Sequence, residues 1–169
     1  MKNNNSFHPD LTMAQEIAYE PYGLVCKNII IDKESADYGA CTFQIGNKKI
    51  VFRVAKITPT KVGQFVTLWK RIGASPIMPF DMSDAIDLFI VTVAKEKLFG
   101  QFIFPKEVLW QKGFVSKDGK GGKRAMRVYP PWDITDSKQA QKTQEWQRLY
   151  FVELSPVVDL EKIKFLLLS

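Results

Sequence analysis

Between Lys117 and Arg127 the chain reads Lys-Asp-Gly-Lys-Gly-Gly-Lys-Arg-Ala-Met-Arg, which puts five cations and three glycines into eleven residues. Positive charge at that density on a pliable backbone suits a polyanion, because lysine and arginine displace the counterions condensed on phosphates. The whole chain leans the same way, with 24 Lys and Arg against 18 Asp and Glu and a formal net charge of +6. A glycine-rich basic run is also what a solvated turn looks like, and the run alone does not separate the two. Nucleic acid is the leading class of partner, DNA before RNA. The residues expected to contact it are Arg53, Lys61, Lys117, Lys120, Lys123, Arg124 and Arg127, with Tyr129 and Trp132 stacking on unpaired bases unless they belong to the core.

Other chemistry-bearing residues are sparse. Asp81, Asp84 and Asp87 are spaced by three, so they could share one side of a helical turn around a metal, while Ser83 and Asp84 also read as ordinary caps before Ile86. Cys26 and Cys41 each lie in an apolar run and read as small hydrophobes. The single histidine, His8, reads as a mobile surface residue, and no spacing of His and Cys suits zinc. Neither GxxxxGK[ST] nor GxGxxG occurs, so no nucleotide cofactor is expected. No apolar stretch approaches the roughly 20 residues that span a bilayer, and residues 1–6 lack a hydrophobic signal core. These features predict a cytoplasmic protein of one domain over residues 1–169, with residues 1–8 flexible and 116–123 a basic glycine-rich loop.

The elements that must position these residues follow from periodicity. Asp10 to Tyr19 reads as a helix closed by Pro21 and Gly23, and Leu24 to Asp32 as a strand whose consecutive isoleucines imply cover on both faces. Ala40–Ile45 and Lys49–Ile57 flank Gly46-Asn47, a pair suited to a two-residue hairpin turn. That turn opposes Ile45 to Lys48, Phe43 to Ile50, Cys41 to Phe52 and, extended, Asp37 to Lys56. Asp37 and Lys56 would then share one sheet face as a structural ion pair or the remnant of an active site. From Thr58 to Arg71 the spacing of Val62, Phe65, Val66 and Trp69 predicts an amphipathic helix, capped by Thr58 with Pro59 at its first position. Strands at Ile86–Val93 and Leu98–Phe104, a short helix at Pro105–Lys112, a strand at Arg124–Tyr129 and a helix at Asp136–Tyr150 complete an α/β class with a mixed β-sheet flanked by helices. Residues 162–169 are expected to dock as a terminal strand or helix.

An acid opening one strand, a lysine closing the next, and helices before and after resemble the core (αβββαβ) of the PD-(D/E)xK, or restriction-endonuclease-like, nucleases. The resemblance implies metal-dependent phosphodiester hydrolysis with Asp37 as first acid, Lys56 as the lysine, and Glu16 or Glu20 as an added helix carboxylate, using Mg²⁺ or Mn²⁺. Residue 36 is Ala where the pattern has Pro, and Val54 stands where it has Asp or Glu, so a principal metal ligand is missing. Several longer stretches are similar to the MepB-like proteins: Phe52-Arg53-Val54-Ala55-Lys56-Ile57-Thr58-Pro59, Gly100-Gln101-Phe102-Ile103-Phe104-Pro105 and Lys123-Arg124-Ala125-Met126-Arg127-Val128-Tyr129-Pro130-Pro131-Trp132 among them. Three functions follow as expectations: nucleic-acid binding on a degenerate nuclease-like site, metal-dependent cleavage with the missing ligand drawn from Glu16, Glu20 or Asp81, and docking of an acidic protein.

Overall fold

Gly46, at φ +59°, and Asn47 close a tight turn between β2 (Cys41–Ile45) and β3 (Lys48–Val54), and the strands pair in the expected register, Cys41 with Phe52, Phe43 with Ile50 and Ile45 with Lys48. The computed structural model describes residues 7–169; the flexibility expected of residues 1–8 lies outside the described residues for 1–6. β1 (Lys27–Ile31) precedes the hairpin, and β6 (Leu88–Lys95), β7 (Leu98–Pro105) and β9 (Phe151–Ser155) extend it. Together they form a six-stranded sheet in the order β1-β2-β3-β6-β7-β9, mixed because β3 and β6 run parallel while the other pairs are antiparallel. A second sheet of three short antiparallel strands, β4 (Lys56–Ile57), β5 (Gln64–Thr67) and β8 (Ala125–Val128), has β5 in its middle. The protein is a single α/β domain.

Period two along β3, β6 and β7 sends alternate side chains to two cores. One face, with Phe43, Phe52, Ile90 and Ile103, is covered by α1 (Pro9–Ala14), the π-helical turn Gln15–Tyr19 that continues it, and the terminal helix α4 (Leu160–Leu168). The other, with Val51, Phe89, Val91 and Phe104, is covered by the inner side of the small sheet, α2 (Lys106–Gln111) and α3 (Lys138–Arg148). Polar groups inside the first core are satisfied. The Tyr19 hydroxyl donates to Gln101, whose amide donates to Thr92 Oγ1 at 3.1 Å, and burial pushes the phenol's pKa well above its ordinary value.

Three elements depart from the periodicity reading. The amphipathic helix over 58–71 does not form; Gln64, Val66 and Leu68 are buried and Phe65 and Thr67 turn outward, the alternation of a strand. Gly63, at φ +83°, interrupts any helix there, and pairing with β8 satisfies the backbone instead. β1 is an edge strand, with Ile30 67% exposed, so its isoleucines are not covered on both faces. β9 went unpredicted, since Phe151-Val152-Glu153-Leu154 continues directly from a helix. His8 is the helix cap of α1, its Nδ1 accepting from the Asp10 N–H at 3.0 Å, rather than a mobile surface group.

Candidate nucleic-acid interface

The pair Asp37 and Lys56 is not formed. β2 begins only at Cys41, because Asp32 caps a 3₁₀ turn over Lys33–Tyr38 that Gly39 ends at φ +57°, and this turn carries Asp37 off the sheet. On the other strand Ala55 still donates to the Thr92 carbonyl at 2.9 Å, after which the chain crosses to the small sheet. Lys56 therefore pairs with Phe65, and its ammonium lies 4.5 Å from the centre of the Tyr38 ring, a cation–π contact. Glu16 and Glu20 are exposed on the turns after α1. The residues that the nuclease resemblance would bring together stand on separate elements. Among the described residues no three His, Cys, Asp or Glu side chains group as a cation site.

Arg53 is displaced from its expected role by the same alternation that makes β3 a core strand. It is 2% exposed, it donates from Nη1 to its neighbour's carbonyl, Phe52 O, at 2.9 Å, and its Nε has no partner. Burial lowers its pKa, with the Asp32 carboxylate acting against that. A cation held this way cannot meet a phosphate at the surface. Arg53→Met should accordingly leave stability within about 1 kcal/mol of wild type or raise it, since removing a poorly paired buried charge ends a desolvation cost. Urea denaturation measures this, and a loss beyond about 2 kcal/mol would give the guanidinium a structural partner not apparent in its hydrogen bonds.

The three aspartates go to separate partners. Asp81 accepts from the Ser83 N–H (3.0 Å) and hydroxyl (2.7 Å), the Ser116 hydroxyl (2.7 Å) and the Gly119 N–H (3.1 Å). These bonds, that from the Ser83 N–H foremost, hold its carboxyl well below the usual carboxylate range. Asp84 pairs with Lys70 at 2.7 Å, and Asp87 accepts from the Lys49 N–H. No helix starts here for them to cap; Asp81 instead fastens the basic run to the segment before β6.

That run is a built structure rather than an open loop. Lys117 and Lys120 exchange backbone hydrogen bonds at 3.0 Å in both directions around Asp118 (φ +53°) and Gly119 (φ +75°), a tight two-residue turn. Its cations consequently diverge. Lys117 lies over the Trp110 ring at 4.5 Å, and Lys120 and Arg124 are exposed away from the groove described next. Lys123, 5.3 Å from the Phe114 ring centre, and Arg127 turn to the outer face of the small sheet.

There a groove of ≈ 480 Å³ runs between that face and the first turns of α3. Lys61, Lys123 and Arg127 line it, with Phe65, Phe114 and Tyr129. Lys61 and Lys123 are exposed and, among the described residues, paired with no carboxylate. Arg127 is partly committed: its Nη1 donates to Thr58 Oγ1 (3.1 Å) and to the Val62 and Gly63 carbonyls (both 3.3 Å), which ties the 58–63 loop to β8. Tyr129 packs against Gly63, where a Cβ would come within 2.7 Å of its ring. Burial raises its pKa, against the pull of Arg127, so the phenol is neutral in the physiological range. Trp132 is absent from this face; it packs edge-on against Phe151 in the second core.

Gln147 holds the wall of the groove in place. Fully buried on α3, it accepts from the Tyr129 N–H at 2.8 Å and donates to the Arg127 carbonyl at 3.1 Å, which occupies β8's free edge. Phe65, Phe114, Gln147 and the start of α3 were not expected at the site from the sequence. The one available signal was the alternation Gln64, Val66, Leu68, which turns Phe65 outward.

A family model described as MepB-like matches residues 32–153, from the 3₁₀ turn into β9. The chain belongs to the MepB-like family. A solved structure described as the crystal structure of MepB is 33% identical, with a TM-score of 0.77 over 89% of this chain and 99% of that one. No curated protein matches the chain. The matched span of this MepB-like chain contains the small sheet, the large sheet except β1 and the end of β9, α2 and α3, and with them every side of the groove. No helix is long and apolar enough to cross a membrane among the described residues.

Proposed function

We propose that the protein binds nucleic acid, DNA before RNA, in the groove between the small sheet and α3. What supports this reading is one observation: Lys61 on one segment and Lys123 and Arg127 on another, distant in the chain, meet on a single concave surface that is also lined by aromatic rings. Ammonium groups left without carboxylate partners in a concave wall keep their charge for a ligand, and phosphates take it with release of counterions. The first turn of α3, with Ser137 as cap, opens on the same groove and adds the positive end of a helix. Cleavage is not part of the proposal: Val54 stands where the nuclease resemblance calls for an acid, and Asp37 and Lys56 form no ion pair among the described residues.

The test is binding of a fluorescent oligonucleotide followed by anisotropy across a salt series, with Lys61→Ala/Lys123→Ala beside wild type. Neither ammonium makes a side-chain hydrogen bond among the described residues, so the double variant should remain folded. Its affinity should fall at moderate salt, and the slope of log affinity against log salt should shrink by roughly 1.4 to 1.8, two contacts at about 0.7 to 0.9 each. Unaltered affinity and slope would remove this groove as the footprint. Salt-sensitive capture of an acidic protein by a chain that binds no oligonucleotide would put a protein partner in its place.

A further inference from the structure

The 58–63 loop borders a second hollow. Where it leaves β4 and returns to β5, it meets the end of β6 and the segment after β8 in a pocket of ≈ 330 Å³, separate from the groove although Lys61 lines both. The walls of this pocket carry two ammonium groups, Lys61 and Lys95, and one carboxylate, Asp133. That carboxylate is largely buried, with 12% of its side chain exposed, yet its one ion pair among the described residues is a loose contact with Lys95 at 4.0 Å. Burial raises its pKa, against the pull of Lys95 and of the Gly63 N–H. Trp132 belongs to the same wall, and its Nε1 is buried with no hydrogen-bond partner among the described residues. A desolvated, loosely paired charge and an unpartnered donor bordering one cavity are features of binding sites more than of packing. The remaining wall is apolar. Val62 lines it with Ile57 and Ile134, which are 59% and 89% exposed.

We propose that this pocket binds a free amino acid with an aliphatic side chain, independently of any nucleic acid in the groove. A zwitterion answers the three parts of the lining at once. Its ammonium gives Asp133 the close partner that Lys95 does not, its carboxylate takes the Lys61 and Lys95 ammonium groups, and its side chain lies on Ile57, Val62 and Ile134. Charge decides against simpler ligands. An aliphatic acid would bring a second carboxylate up to Asp133, and an aliphatic amine would meet two lysines, so each sets like charges together in a partly desolvated site. The volume is at the lower end of the ~300–1,000 Å³ of ligand pockets, which suits a molecule of amino-acid size.

Titration calorimetry of the full chain with L-leucine, isocaproate (leucine without its ammonium) and isoamylamine (leucine without its carboxylate) tests the proposal. Leucine should bind, and each truncated analogue should bind at least about tenfold more weakly, the factor carried by one hydrogen bond between charged groups. Asp133→Asn keeps the side chain's shape and an acceptor for the Gly63 N–H, so it should fold. This variant should weaken leucine at least about tenfold while leaving isocaproate no weaker than in wild type. Circular dichroism checks its folding; were it to unfold, the comparison of the three ligands on wild type still decides. No binding of leucine, or isocaproate and isoamylamine binding as tightly as leucine, would overturn the proposal. So would leucine binding that a folded Asp133→Asn leaves unchanged.

Discussion

Gln147→Leu should lower stability by about 2–4 kcal/mol and release α3 from the small sheet. The replacement is close in volume, so packing changes little, but the Tyr129 N–H and the Arg127 carbonyl both lose their partner. Each buried backbone group left unpaired costs about 1–3 kcal/mol. The local consequence is specific, because the freed groups belong to the strand that carries Arg127 and leads into Tyr129. Chemical denaturation gives the loss, and hydrogen exchange at the Tyr129 amide gives its location: exchange there should quicken well before that of the main sheet. An amide still protected, together with an unchanged midpoint, would mean that α3 is held by its apolar contacts, such as Trp146 on Phe104, rather than by this glutamine.

Gly63→Val should cost about 2–5 kcal/mol and displace Tyr129 from the groove. Two terms contribute. The position sits at φ +83°, where an L side chain is disfavoured by about 1–2 kcal/mol, and β-branching adds to that. A Cβ would also approach the Tyr129 ring to 2.7 Å and the Val128 carbonyl to 2.8 Å, and forced overpacking costs about 1–3 kcal/mol. Gly121→Val is the matched control, with φ +75° and open space around the added Cβ, so it carries the backbone and branching terms without the close approach. The difference between the two in urea measures the close approach of Tyr129. If both lose the same, the ring yields easily and is no fixed platform.

The two variants reach the groove from opposite sides, since Gln147 fixes the helical wall and Gly63 fixes the ring against the sheet. Neither variant changes the net charge, so loss of oligonucleotide binding in either is the expected companion result.

Some of this architecture was legible because it is local. Gly46-Asn47 imposes a tight turn on two alternating strands, so the register of β2 with β3 follows from the turn and the period alone. The short helix after β7 and the helix before β9 were likewise marked by their flanking residues, and the charge excess is what makes a polyanion the expected partner. What the chain could not show is where tertiary pairing overrides local period. Val62, Phe65, Val66 and Trp69 fit a helix as well as Gln64, Val66 and Leu68 fit a strand, and the choice was made by β8, whose Val128 lies far along the chain from its partner Gln64. The same distance problem hid the site. Arg53 and Lys56 look equivalent in sequence, yet alternation buries one and the step between sheets exposes the other. The basic run looks like one patch, yet a tight turn pinned by Asp81 sends Lys117 to Trp110 and Lys123 to the groove. Sequence determined the sign of the charge and the strands that could carry it; only the folded chain decided which cations share a surface, because that depends on contacts between segments no local pattern connects.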